Sequence, residues 1–115
     1  MINLSVHRVR PGHEQQLRDW FAALQGPRRA EAELTLREEG IDHETAVLVD
    51  GRDGLLLVYA MQSDDFGHAK HVADASTHAV DADHRAVLRA CLLPFERADA
   101  DVVLDVRPSL SLIHI

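Results

Sequence analysis

Residues with the chemistry to bind or react gather at a few places in this 115-residue chain. Arg28 and Arg29 follow Gly26-Pro27, His43 and Glu44 adjoin just beyond Gly40, and His78, Asp81 and His84 recur at intervals of three. Paired guanidinium groups can hold a carboxylate or phosphate through parallel hydrogen bonds. A histidine can move a proton near neutral pH, and the phenol of Tyr59 adds a hydroxyl that needs a partner if buried. Each group also has a structural reading. The arginines can pair with Glu31, Glu33 or Glu38 along their own helix. Asp81 can cap a helix with His84 in its first turn near the N-terminal amides, and Tyr59 and Trp20 can be core.

A second set of histidines, His68 and His71, lies three apart on a helical stretch beside Lys70 and Asp74. Metal sites need converging imidazoles and carboxylates, but this pair is expected on a solvated face, and no metal or cofactor is assigned. The chain lacks GxGxxG, a phosphate loop, HExxH, CxxC and GxSxG. Its serines, at 5, 63, 76, 109 and 111, sit in no elbow-like context, which disfavours a serine or cysteine hydrolase. The single cysteine, Cys91, lies among Val87, Leu88, Leu92 and Leu93 and reads as an inert core thiol in a reducing cytoplasm. A net charge of −7 argues against a nucleic-acid partner. No apolar run approaches the ~20 residues of a membrane span, and no signal peptide is recognised.

The elements that must position these groups follow from periodicity. In residues 2–9, Ile2, Leu4 and Val6 alternate with Asn3, Ser5 and His7, a strand expected to turn its polar side to an open sheet face. Leu17, Trp20, Phe21 and Leu24 recur at helical spacing over 13–25. Residues 28–39 predict a polar helix anchored by Ala30 and Leu34 and closed by Gly40. Strands at 43–49 and 54–61 flank Asp50-Gly51-Arg52-Asp53-Gly54, and the apolar run Leu55–Tyr59 predicts a central strand. Ser63-Asp64-Asp65 can cap a third helix. A fourth helix after Asp81 has Val87, Ala90 and Cys91 inward and Pro94 near its end. Alternation of Val102, Leu104 and Val106 predicts a last strand at 101–107.

This order, less the second and fourth helices, is β-α-β-β-α-β, an α+β ferredoxin-like plait with a four-stranded antiparallel sheet. Residues 1–108 are one domain. Helices cover one sheet face, and the other, half apolar, predicts a homodimer through that face. The tail Ser109-Leu110-Ser111-Leu112-Ile113-His114-Ile115 resembles a translated sequencing adapter and is expected to be non-native. The alternative is a short edge strand.

Several segments together, Arg10-Pro11-Gly12, Trp20-Phe21 with Leu24, Gly26-Pro27-Arg28-Arg29, Leu36-Arg37-Glu38-Glu39-Gly40, His43-Glu44, Leu57-Val58-Tyr59, and His78 with Asp81, His84 and Arg85, carry a resemblance. The chain resembles a small bacterial family of unknown function, similar in topology to the dimeric α+β barrels that include the antibiotic-biosynthesis monooxygenases. That resemblance implies the plait and a homodimer, and no established activity. The residues then support a cytoplasmic dimer binding a small, acidic molecule between helices and sheet, at Arg28, Arg29, His43, Glu44, Tyr59, His78, Asp81 and His84. The alternatives are a non-catalytic accessory or interaction module and, more remotely, a cofactor-free monooxygenase-like enzyme.

Overall fold

A computed structural model describes residues 1–109. The expectations for the tail from residue 110 onward lie outside the described residues. The described elements run β1 (Ile2–Val9), α1 (Glu14–Gln25), α2 (Arg29–Glu39), β2 (Ile41–Gly51), β3 (Gly54–Ser63), α3 (Phe66–Ala75), α4 (Ala79–Cys91) and β4 (Leu92–Asp99). Among the described residues the strands form one antiparallel sheet in the order β2-β3-β1-β4, and the fold is α+β. None of the described helices is long and apolar enough to cross a membrane.

Local chemistry explains most boundaries. Gly40 closes α2 with φ 71°, a left-handed conformation that glycine adopts without steric cost. The Asp65 carboxylate accepts the His68 amide at 3.0 Å and so starts α3. The β2–β3 hairpin is tighter than its glycine-rich sequence suggests: Gly51 pairs with Gly54, leaving Arg52-Asp53 as the loop. Helix α2 meets the molecule through Ala32, Thr35 and Leu36, while Ala30 and Leu34, the expected anchors, are exposed. Ala90, expected to point inward from α4, is exposed as well, and Val80 takes an inward place.

The last strand is displaced from its expected place. Residues 101–107 form no strand, and Val103 and Leu104 stand 93% and 77% exposed. The strand instead begins at Leu92, directly after α4, and contains Pro94. Proline is tolerated there because β4 is an edge strand, where a missing N–H breaks no interior ladder. The switch from helix to strand is held by Arg10. Its amide donates to Cys91 O at 2.7 Å, and its guanidinium to Ala90 O at 3.2 Å, satisfying carbonyls left over at the helix end.

The two faces of β1 are also the reverse of expectation. Ser5 stands opposite Tyr59 and His7 opposite Leu57. Directly opposed residues share a sheet face. Leu57 and Tyr59 belong to the core with Val9, Leu17 and Cys91, against which Phe21, Val87 and Leu88 pack. Asn3, Ser5 and His7 therefore look toward the helices, and buried Ser5 is satisfied by His7 Nε2 at 2.9 Å. The open face carries Ile2, Leu4 and Val6 beside Val47, Val49, Leu56, Val58 and Ala60. Alternation reveals which residues share a face but not which face meets the core. Cys91 is fully buried, and burial pushes its thiol pKa up, as befits an unreactive core cysteine.

Candidate functional site

The sheet's helix-facing side brings Glu44 on β2 and Tyr59 on β3 beneath the helices, and α4 lowers His84 onto them. His84 is the sixth residue of α4, not part of its first turn, because the helix starts at Ala79 with His78 as its N-terminal boundary residue. Its ring is half-buried between two aromatic partners. The Trp20 indole Nε1–H donates to His84 Nδ1 at 2.8 Å, and the Tyr59 hydroxyl lies 3.3 Å from His84 Nε2. The Tyr59 ring meets that of His84 edge-on at 6.1 Å, and the Phe21 ring meets Tyr59 in the same manner at 6.1 Å. Tyr59 also shares the helix-facing side of the sheet with Glu44, and both line the same cleft.

Burial sets the electrostatics of this cluster. Glu44 is pushed above the usual carboxylate range by desolvation, the neighbouring Tyr59 hydroxyl opposes the rise, and the Asp81 charge adds to it. Desolvation, followed by the Glu44 charge, raises Tyr59, which stays protonated. Desolvation likewise lowers His84, against an opposing pull from Asp81, so the neutral imidazole is favoured. A further carboxyl, Glu39 at the end of α2, is raised to about 7 by desolvation and by the charges of Asp81, Glu44 and Glu38.

Two adjoining spaces reach this cluster. A cleft of about 470 Å³ opens between α1, α2 and β2, with Phe21, Leu24, Ala32 and Leu36 as apolar walls and Glu44 and Tyr59 as polar groups inside. A small cavity of about 70 Å³ behind it shares Leu24, Ala32, Leu36 and Glu44 and adds Glu39, Asp81 and His84. Glu44 borders both. The larger volume is in the range that holds small organic ligands.

Of the residues expected at the site, Glu44, Tyr59 and His84 meet at its centre, with Asp81 at the rear cavity. Arg29 and His43 line the cleft. His43 and Glu44 point to opposite faces of β2, as adjacent strand residues must, and His43 pairs with Thr45 on the open side, 3.1 Å away. Arg28 stands outside. Its guanidinium binds Glu31 at 2.9 Å and Asp83 at 2.6 Å and covers the Trp20 ring at 5.4 Å. These carboxylates, Glu31 first, raise its pKa. Arg29 is paired with Glu33 at 2.8 Å. His78 lies beside Glu38 at 2.8 Å and ties α2 to α4. Asp81 does not cap α4; it takes a hydrogen bond from Ser76 in the loop before it.

Two members of the cluster lie beyond sequence reasoning about sites. Trp20 reads as pure core from its helical spacing, and only the tertiary contact reveals its polar edge in use. Glu39 looks like one more charge on a polar helix. A signal was available in its i, i+3, i+4 relation to Leu36 and Thr35, which places it on the inward side of α2. Among the described residues no group of three or more histidine, cysteine, aspartate or glutamate side chains converges as a metal site would need.

A crystal structure of a protein of unknown function from Nitrosomonas europaea is similar, with a TM-score of 0.51 and 16% identity over 94% of this chain and 93% of that one. At that identity the likeness concerns the fold alone. No curated protein matches the chain. The profile of a family of unknown function, DUF6176, covers residues 1–112, and the chain belongs to that family.

Proposed function

We propose that this protein binds a small, uncharged, largely apolar molecule in the cleft between α1, α2 and β2, with Glu44 accepting a proton or hydrogen bond from it. One observation carries this reading: a half-buried carboxyl group faces a cleft with apolar walls, and the charge acting on it is another carboxylate, Asp81. Such a group holds a proton more tightly than an ordinary surface carboxylate, which suits a proton acceptor. An acidic ligand fits less well, since Arg28 and Arg29 are both engaged by carboxylates and Glu44 and Glu39 would repel a further anion. For Arg28 and His78 the bracing role is favoured, because each ties α2 to α4.

The test compares 2-naphthol with its methyl ether by calorimetry. 2-Naphthol should bind more tightly, and Glu44→Leu should abolish the difference. Equal affinity of both probes for the unaltered protein would overturn the assignment of Glu44.

The strand order β2-β3-β1-β4 supports reading the fold as a ferredoxin-like plait with α2 and α4 in addition to the usual pair. Its open face, with Val47 48% and Val49 42% exposed, supports a second copy as partner: a two-fold axis sets identical apolar faces against each other. Native mass measurement should show a dimer, which Val47→Lys with Val58→Lys converts to a monomer. A wild-type monomer at all concentrations would refute the pairing. A cytoplasmic setting is in keeping with the lone buried cysteine.

A further inference from the structure

We infer that Trp20 is a positioning residue: its indole N–H fixes His84 as the neutral Nε2–H tautomer and thereby aims the Tyr59 hydroxyl proton at Glu44. This deepens the proposed reading of the cleft by saying which proton faces the ligand site and why.

The argument is a matter of donors and acceptors. An indole nitrogen can only donate. At 2.8 Å from Trp20 Nε1, His84 Nδ1 must therefore offer its lone pair, and the single proton of a neutral ring belongs on Nε2. Nε2–H then donates to the Tyr59 oxygen, 3.3 Å away. With its oxygen accepting from the histidine, Tyr59 has its own proton left for Glu44, the carboxyl that shares its sheet face and its cleft. The result is a one-way chain, Trp20 to His84 to Tyr59 to Glu44, ending at the carboxylate that borders both the cleft and the rear cavity. Protonating His84 would set two N–H groups head to head, so the indole also opposes the imidazolium form. Other charged groups act on the ring from several elements. Asp81 and Arg85 on its own helix pull in opposite directions, Arg28 covers the indole from the start of α2, and Glu39 and Glu44 share the rear cavity with His84.

The arrangement explains the aromatic packing as well. Tilted contact between Trp20 and His84 (6.0 Å, 31°) brings the indole edge, not its face, to the imidazole nitrogen. A tryptophan placed only for bulk has no need to present that edge.

Nitrogen-15 labelling of histidine in the full chain, read by two-bond proton–nitrogen correlation, tests the inference without any ligand. In the unaltered protein His84 should show the Nε2–H pattern at pH 8 and keep it to a lower pH than a free imidazole would. Trp20→Phe keeps the aromatic bulk and removes the donor. Its His84 should populate both tautomers and titrate at a higher pH than in the parent. An Nδ1–H pattern in the parent, or identical tautomer and titration in Trp20→Phe, would overturn the inference. Because the tautomer is read first on the unaltered protein, a variant that fails to fold leaves the test standing. Failure of 2-naphthol to bind would count against the ligand reading alone.

Discussion

The polar side chains around α4 form two sets that differ in their surroundings more than in their chemistry. The inner set, Trp20, His84, Tyr59 and Glu44, is shielded by Phe21, Leu24 and Leu36. The outer set, Arg28 with Glu31 and Asp83, Arg29 with Glu33, and His78 with Glu38, lies at the surface. Both contain short hydrogen bonds. In the outer set, water can replace a lost partner, so each contact contributes little. In the inner set, removing one member strands its neighbours without water, and the cost is that of a buried unsatisfied group. The comparison teaches that the charge-rich segments that attract attention in the sequence are largely scaffolding. The inner set joins three residues that the sequence offers as site candidates, Glu44, Tyr59 and His84, to Trp20, which it presents as core.

That contrast can be broken by measurement. The largest effect is expected for Trp20→Ala, which empties a buried aromatic site and orphans His84. Chemical denaturation should show a loss of about 3–5 kcal/mol, and a loss no greater than that for a surface alanine would remove the distinction. His84→Ala comes next, at about 1–3 kcal/mol, because the Trp20 indole and the Tyr59 hydroxyl each lose a partner.

A pH effect follows from Glu39 and Glu44. Both carboxyl groups are raised above the ordinary value of 4.5, so the folded chain binds protons more tightly than the unfolded one. Their contribution is thus most favourable below pH 4.5 and is lost as pH climbs through the folded pKa, about 7 for Glu39. Melting temperature should therefore fall across that window, as far as these two groups decide it. Glu39→Gln and Glu44→Gln should each flatten the fall, and an unchanged slope in both would show that the groups ionise as they do in water. The smallest change is expected for Arg29→Ala, whose exposed pair with Glu33 should leave the melting temperature nearly unaltered.

Much of the scaffold was legible because its signals are local. Gly40, Asp65 and the glycines of the hairpin act through their own backbone or that of near neighbours, so helix ends and the turn appear in the sequence. The helical stripe Leu17, Trp20, Phe21 and Leu24 needs only one period to be recognised. The last strand was misplaced because Pro94 reads as a breaker unless its edge position is known, whereas Val102, Leu104 and Val106 alternate with nothing to pair against. Anchors on α2 were misread for a related reason: in a helix with few apolar residues, Thr35 and Ala32 are as able to face inward as Leu34.

Thus residue order alone determined the succession of helices and strands, the acidic surface, and the grouping of Ile2, Leu4 and Val6 apart from Asn3, Ser5 and His7. Tertiary structure decided which of those groups meets the helices, that Arg28 pairs with Asp83 across α2 and α4, and that an indole, an imidazole and a phenol meet beside a carboxyl. The physical reason is range. Periodicity and capping act within a few residues, but Trp20 and His84 stand 64 positions apart. Only the packing of α1 and α4 over β3 brings the donor of one to the acceptor of the other.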